Sequence, residues 1–249
     1  MKTLDLLDYW NNAATQSMYD KHLVRAESDL TMKHFPKIIS PKILDAGCGE
    51  GEGTETYASV RGATVHGVDF SARRLDLARA RLSEKSNVTL FRQDLTEAVG
   101  LVPDYDIVIS QRFLINIPEW ELQMKVLRQL MGLLAHHGRL LLLEGHQEGA
   151  AALNEFRAAA GLEPIPVKWH NVFLSDTRLK RFMKAEGYRL TAEDSLGAYF
   201  LMTRGIRPML DSNLDWDCDF NRIASSPEMM RMLTGCDRYS RLKLWVYEK

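Results

Sequence analysis

The segment Lys42-Ile-Leu-Asp-Ala-Gly-Cys-Gly-Glu-Gly-Glu-Gly-Thr54 sets an acid, Asp45, directly against a turn in which Gly47, Gly49, Gly51 and Gly53 alternate. Glycine lets a backbone turn sharply and approach a ligand closely, and the start of a following helix offers unpaired N–H groups. A dinucleotide site asks for G-x-G-x-x-G, and Glu52 stands where its third glycine belongs. Asp45 and Glu50 would repel a pyrophosphate and attract a ligand carrying an ammonium and a sulfonium. The plain alternative is an ordinary strand–helix turn. Asp69 follows at roughly the 20-residue distance from which an acid accepts hydrogen bonds from ribose hydroxyls. Asp94 comes after the next strand, where a carboxylate can accept from an adenine amino group. Each acid taken alone serves equally as a helix cap or surface charge. Three acids at the ends of consecutive strands mark the rim where open α/β sheets bind ligands.

The elements that must position these residues are legible as an alternation. Residues 1–35 are polar and helical in pattern, with Tyr9, Trp10 and Tyr19, and Pro36 and Pro41 break that pattern. Strands are expected at Ile43–Ala46, Thr64–Asp69, Asn87–Arg92, Tyr105–Ser110 and Arg139–Glu144. Helices are expected from Thr54, after the capping Ser71, and from Pro118 at a first turn to a stop at Gly138. Strands alternating with helices imply crossovers and a parallel sheet covered on both faces. Beyond residue 145 the spacing predicts helices near 150–160 and 176–186. Two last strands, Ala198–Met202 and Leu242–Tyr247, would pair antiparallel at the sheet edge. The intervening 204–240 is far longer than a hairpin loop, and is read either as a cap on a substrate site or as a structural or oligomeric element.

On the pieces ILDAGCGEGEGT, VHGVDFSARRLDLARARL, VTLFRQDL, YDIVISQRFLINIP and GRLLLLEG, in that order over about residues 40–145, the chain resembles the class I, Rossmann-like, S-adenosylmethionine (SAM)-dependent methyltransferases. The resemblance implies a doubly wound seven-stranded sheet, mostly parallel with an antiparallel last strand. It divides one domain, 1–249, into an N-terminal helical lid (1–40), a SAM-binding core (41–145) and an acceptor-side half (146–249) with its insertion. It implies SAM as cofactor, S-adenosylhomocysteine (SAH) as product and no metal. Gly47, Gly49 and the neighbouring backbone would hold the methionine part, Asp69 would bind the ribose hydroxyls, and Asp45, Cys48 and Phe70 would also belong to the cofactor site. Asp94 and Leu95 would flank the adenine, Gln111 would face the methionine or the transfer site, and Arg25 would pair with the methionine carboxylate or with a surface acid. One departure is His136-His137-Gly138, where the family usually has Pro-Gly-Gly before the fifth strand.

Methyl transfer to a hydroxyl needs a base, and an unperturbed imidazole titrates near cellular pH. His146, after the fifth strand, and His170, in Lys168-Trp-His-Asn171, are the candidate catalytic residues; the other use of each is a helix cap or a hydrogen-bonded loop position. Arg112 and Asn116 after the fourth strand, with Tyr19, Trp169 and Asn171, are candidates to bind the acceptor. Tyr9, Trp10 and Tyr19 form a lid or pack. The acid-rich Asp211–Asp219 would suit an acceptor with hydroxyl or amino groups; Trp216 occupies the position where a calcium loop needs glycine. O-methylation of a small molecule leads, with N-methylation of a small amine, an RNA methyltransferase and a non-catalytic SAM-binding protein as alternatives. Ser110-Gln-Arg-Phe113 lacks the Asn/Asp-Pro-Pro-aromatic signature of base-amino methylation, and Ser110 is not the Asp of catechol-type, magnesium-dependent relatives.

Composition agrees. The 249 residues carry a net charge of −1, without the basic surplus of a nucleic-acid binder. Arg73, Arg74, Arg79 and Arg81 read as a solvated helix face or, alternatively, a binding patch. Cys48, Cys218 and Cys236 have no paired spacing, so neither disulfides nor zinc is expected. Asp5 and Asp8 interrupt the first apolar stretch, which excludes a signal peptide, and Leu140–Leu143 is too short for a bilayer. The expectation is a cytoplasmic protein without membrane or nucleic-acid partners, monomeric or homodimeric.

Overall fold

In a computed structural model the protein is described at residues 3–12, 20–97, 100–213 and 215–249, with the side chains of 3–6 left aside. Strands β1 (Lys42–Ala46), β2 (Thr64–Asp69), β3 (Val88–Arg92), β4 (Tyr105–Gln111), β5 (Leu134–Gly145), β6 (Arg189–Ser195) and β7 (Leu242–Glu248) form one sheet in the order β3-β2-β1-β4-β5-β7-β6. β7 lies antiparallel between β5 and β6, and the other six run the same way. Strand order reverses between β1 and β4, and that reversal opens the crevice in which such sheets bind ligands.

Alternate residues of each strand feed opposite layers. Leu140 and Leu142 pack toward α5 (Trp120–Gly132) and α7 (Asp176–Ala185). Leu141 and Leu143 pack toward α2 (Lys21–Lys33), α3 (Glu52–Tyr57) and α6 (Gln147–Ala159). All four leucines are fully buried, each worth about 1.5–3 kcal/mol of transfer free energy. That covering from both sides is what a continuous apolar strand requires.

Two sequence expectations are corrected here. The apolar run 198–202 is helical, not a strand: α8 (Gly197–Phe200) continues through a π-turn, Leu201–Ile206, into α9 (Arg207–Leu210). Its Tyr199 and Phe200 are buried, and a short apolar run reads alike for a buried helix and a buried strand. The sixth strand is instead the polar Arg189–Ser195, whose place at the sheet edge leaves it partly solvated. The insertion therefore spans 196–241 and also holds α10 (Asp219–Ala224) and α11 (Pro227–Met232). The second correction concerns Pro118 and Gly138. Pro118 precedes the N-cap Glu119 of α5, and the helix ends at Gly132, not Gly138. Gly138 lies inside β5, where a Cβ would stand 2.6 Å from the Tyr105 carbonyl oxygen.

The first helices are α1 (Thr3–Asn11) and α2, and α4 is Ala72–Arg81. Ser71 caps α4, its hydroxyl accepting from Arg74 N. No helix among the described residues is long and apolar enough to cross a membrane.

Candidate active site

The cavity opens along the C-terminal ends of β1, β2, β3 and β4, and its walls include Asp45, Gly49, Asp69, Asp94, Gln111 and Arg112. The glycine turn folds by pairing the N–H groups of Gly47 and Cys48 with the Val68 carbonyl, at 2.8 and 2.9 Å. Gly47, Gly49 and Gly51 have φ of 72°, 53° and 81°, which L side chains adopt only with strain. At Gly47 a Cβ would also lie 2.5 Å from the Phe113 ring; at Gly49 nothing stands within 4 Å, so the bare backbone faces open cavity.

Asp69 braces this turn. One carboxylate oxygen accepts from Gly49 N at 3.0 Å and the other from Ser71 N at 2.8 Å. Each oxygen keeps a second lone pair for a ligand hydroxyl. Burial raises the Asp69 pKa against the pull of these amides. Asp45 is buried beneath the turn, accepts from the Thr54 hydroxyl at 2.6 Å, and is pushed up to about 6 by burial. Asp94 uses one oxygen to accept from Thr96 N and Oγ1, leaving the other for the cavity. Cys48 and Phe70 also line it, and Leu95 is buried in its wall. Burial pushes the Cys48 thiol well above its usual range, so it is no nucleophile.

The rim after β4 holds a network that sequence reasoning missed. Gln111 donates to Glu27 Oε2 at 2.7 Å and accepts from the Tyr57 hydroxyl at 2.6 Å. Arg112 Nε lies 3.1 Å from the same Glu27 oxygen. Glu27, from α2, is fully buried; burial raises its pKa against the opposing charge of Arg112, and its Oε1 has no hydrogen-bond partner among the described residues. Arg112 sits at φ 54°, a backbone conformation that costs on the order of 1–3 kcal/mol and concentrates at functional sites. Asn116 also lines the cavity, its amide donating to the Arg112 carbonyl. No local pattern in the sequence couples Glu27 to residues 84 positions away.

Several expected residues stand elsewhere. Arg25 is solvent-exposed and 3.8 Å from Asp29 one helical turn on, so it is not at the cavity. His146 is the N-cap of α6: its Nδ1 accepts from Gly149 N, its Nε2 lies 3.2 Å from Glu148, and burial lowers its pKa. His170 is buried one layer behind the cavity wall. It packs 4.5 Å from the Tyr9 ring and 5.5 Å from the Trp10 ring, and Trp169 flanks it at 5.3 Å. Burial lowers the His170 pKa to about 4, and its Nδ1 has no hydrogen-bond partner among the described residues. Trp169 is mostly exposed, and Asn171 closes a turn by donating its N–H to the Lys168 carbonyl; neither lines the cavity. Tyr19 lies outside the described residues.

Arg74 corrects the reading of a solvated arginine face. It is 3% exposed, pairs with Glu50, donates to the Trp10 carbonyl and stacks on the Trp10 ring. This neutralises Glu50, so the acidity of the site rests on Asp45, Asp69 and Asp94. It also fastens α1 across the cavity, with Ser71 donating to Asn11 Oδ1 at 2.7 Å. Trp10 lines the cavity. The insertion does not line the cavity among its described residues. It clamps the start of α2: Tyr199 and Arg204 both donate to Asp20, and Lys21 pairs with Asp217 at 2.6 Å. The acids of 211–219 thus face α2 and their own backbone turns rather than an acceptor.

The family described as a methyltransferase domain matches residues 43–138. A ubiquinone biosynthesis O-methyltransferase of Nitrosomonas europaea is 34% identical over 79 residues, 31% of this chain and 33% of that protein. A demethylmenaquinone methyltransferase of Lactococcus lactis is 29% identical over 141 residues, 55% of this chain and 54% of that protein. The chain spans 33–38% of the length of the first three curated relatives it matches. Among solved structures, magnesium protoporphyrin IX methyltransferase from Synechocystis PCC 6803 with bound SAH superposes at a TM-score of 0.59. The superposition covers 99% of this chain and 94% of that one at 16% identity, a likeness of fold.

Proposed function

Since residues 43–138 make this chain a member of the class I, Rossmann-like, SAM-dependent methyltransferase family, we propose that it transfers a methyl group from SAM to a small-molecule acceptor, with O-methylation favoured. The observation that carries the reading is the convergence of Asp45, Asp69 and Asp94 on one cavity, beside the bare backbone of Gly49. Carboxylates with spare acceptor capacity suit the ribose hydroxyls, the adenine amino group and the positive charges of SAM. Any side chain at position 49 would occupy the space that ligand needs.

When bound, SAM supplies a methyl carbon already activated by its positive sulfur. Asp69 then holds the ribose hydroxyls, Asp94 with Leu95 the adenine, and Gln111 with Arg112 the amino-acid end. Trp10 and Phe113 exclude water, and Asn116 orients the acceptor. Alignment of acceptor and methyl can contribute about 7–11 kcal/mol. His170 stays neutral near pH 7 and supports the cavity wall from behind, through its packing on the Trp10 ring. With a pKa of about 4 it is a weak base outside the cavity lining, so its larger share is to hold Trp10 in place rather than to take the acceptor's proton. We assign the protein to the cytoplasm, where its three free cysteines stay reduced.

Asp69→Ala tests the reading. Calorimetry should show SAM affinity at least about tenfold weaker, the cost of charge-assisted hydrogen bonds lost from a buried site. Unchanged affinity removes Asp69 from the site, and wild-type protein that binds no SAM ends the proposal. SAM binding without transfer to any hydroxyl or amine acceptor would leave a non-catalytic SAM-binding protein.

A further inference from the structure

Glu144, the last residue but one of β5, has its carboxylate fully buried. Its Oε1 accepts from the Ser110 hydroxyl at 2.5 Å, Leu114 N at 2.9 Å and Phe113 N at 3.1 Å, and its Oε2 accepts from Ile115 N at 3.3 Å. One carboxylate thus gathers three consecutive amides at the start of the short 3-10 turn Leu114–Asn116. The same loop is held from its other side by Gln123 of α5, which is buried and donates to the carbonyls of Leu114, Ile117 and Val172. Burying a carboxylate costs several kcal/mol unless such donors surround it. A fold that needed only a filled core would place an apolar side chain here.

The clamped loop serves both ends of the cavity. Phe113, held at its N–H by Glu144, lays its ring against Gly47 of the glycine turn. Arg112, one residue earlier, is in the left-handed conformation and faces the cavity; Asn116, just after the clamped amides, lines it too. Ile115 accepts from Val172 N at 2.6 Å, which ties in the loop that carries His170.

We propose that Glu144 is a positioning residue for both ligands of the site, the carboxylate that sets the 112–116 loop and through it the seat of Phe113 on the glycine turn and the aim of Arg112 and Asn116. This rests on the methyltransferase reading for the identity of the ligand but not for the clamp itself. Glu144 touches neither ligand; it acts through the loop's backbone.

Glu144→Gln keeps the shape and removes the charge, while Ser110→Ala removes one donor and keeps the carboxylate with its three amides. Hydrogen exchange of the empty full-length protein and calorimetry with SAH read the two levels separately. In Glu144→Gln, exchange of the 113–115 amides should accelerate at least tenfold with the β1 and β2 amides unchanged, and SAH should bind at least tenfold more weakly. In Ser110→Ala both should stay within threefold. SAH affinity within twofold of wild type in Glu144→Gln overturns the proposal. So does exchange that accelerates equally across the sheet, the mark of a merely structural carboxylate. Should Glu144→Gln not fold, wild type still decides: the 113–115 amides must be among the slowly exchanging ones, and rapid exchange overturns the clamp. Wild type that holds no SAH, with slow 113–115 exchange, counts against the methyltransferase reading alone.

Discussion

The two histidines show how one residue type in two settings acquires two uses. His146 and His170 are equal candidates for a base when only their place in the chain is known. Packing separates them: His146 Nδ1 accepts from Gly149 N at the head of α6, whereas the buried His170 Nδ1 has no hydrogen-bond partner among the described residues and its ring packs on that of Trp10, which lines the cavity. His146→Ala should therefore cost about 1 kcal/mol, the value of a helix cap, with turnover at saturating SAM unchanged. His170→Ala removes the ring packed behind Trp10 and should lower turnover by less than about 100-fold, below the range of general-base effects. Thermal unfolding and steady-state assays of the pair check this, and a large turnover loss in His146→Ala would return that residue to the chemistry. The acids were readable one by one because each stands at or just beyond the C-terminal end of a strand. Glu27, Glu144 and Gln123 were not, because what gives them meaning is a partner on a different element.

Among the elements, α1 is held over the cavity by side chains of other elements, Arg74 among them. A helix of nine residues is too short to be stable alone in water, so its place over the cavity depends on what holds it. Arg74 binds it through the Trp10 carbonyl and ring, and Ser71 through Asn11. Arg74→Ala should loosen the lid, speeding SAH dissociation about tenfold with little change in association, since contact losses appear chiefly in the off-rate. Stopped-flow displacement measures it, and an unchanged off-rate means that α1 does not retain the ligand. The sequence placed the first five strands to within one or two residues except at β5, whose start was hidden by Gly138. Helix α8 was misread because its apolar run is buried on all sides, and β6 was missed because an edge strand need not be apolar.

For the molecule as a whole, the described residues of the insertion 196–241 hold the head of α2 and line none of the cavity. Arg204 pairs with the buried Asp20 at 2.6 Å and stacks on Trp216, which joins the insertion to the head of α2. Arg204→Ala would leave Asp20 buried with its charge uncompensated, at a cost of about 3 kcal/mol. For a chain of this size that is a fall of about 6–12 °C in Tm. SAH affinity should stay within about twofold of wild type, because no described residue of the insertion lines the cavity. Weakened SAH binding with an unchanged Tm would place the insertion at the site after all.

The sequence by itself determined the parallel α/β core, the glycine turn and the three acids on its rim, since these follow from local rules: strand periodicity, the conformational freedom of glycine, and the fixed place of a strand's C-terminal end. Only the tertiary structure decided which charges survive there. It cancelled Glu50 with Arg74, sent Arg25 to solvent, joined Glu27 to Gln111 and Arg112, and put Glu144 under the loop that Phe113 seats on Gly47. A charge acts through whatever neighbours it in space, and the chain's order does not specify those neighbours.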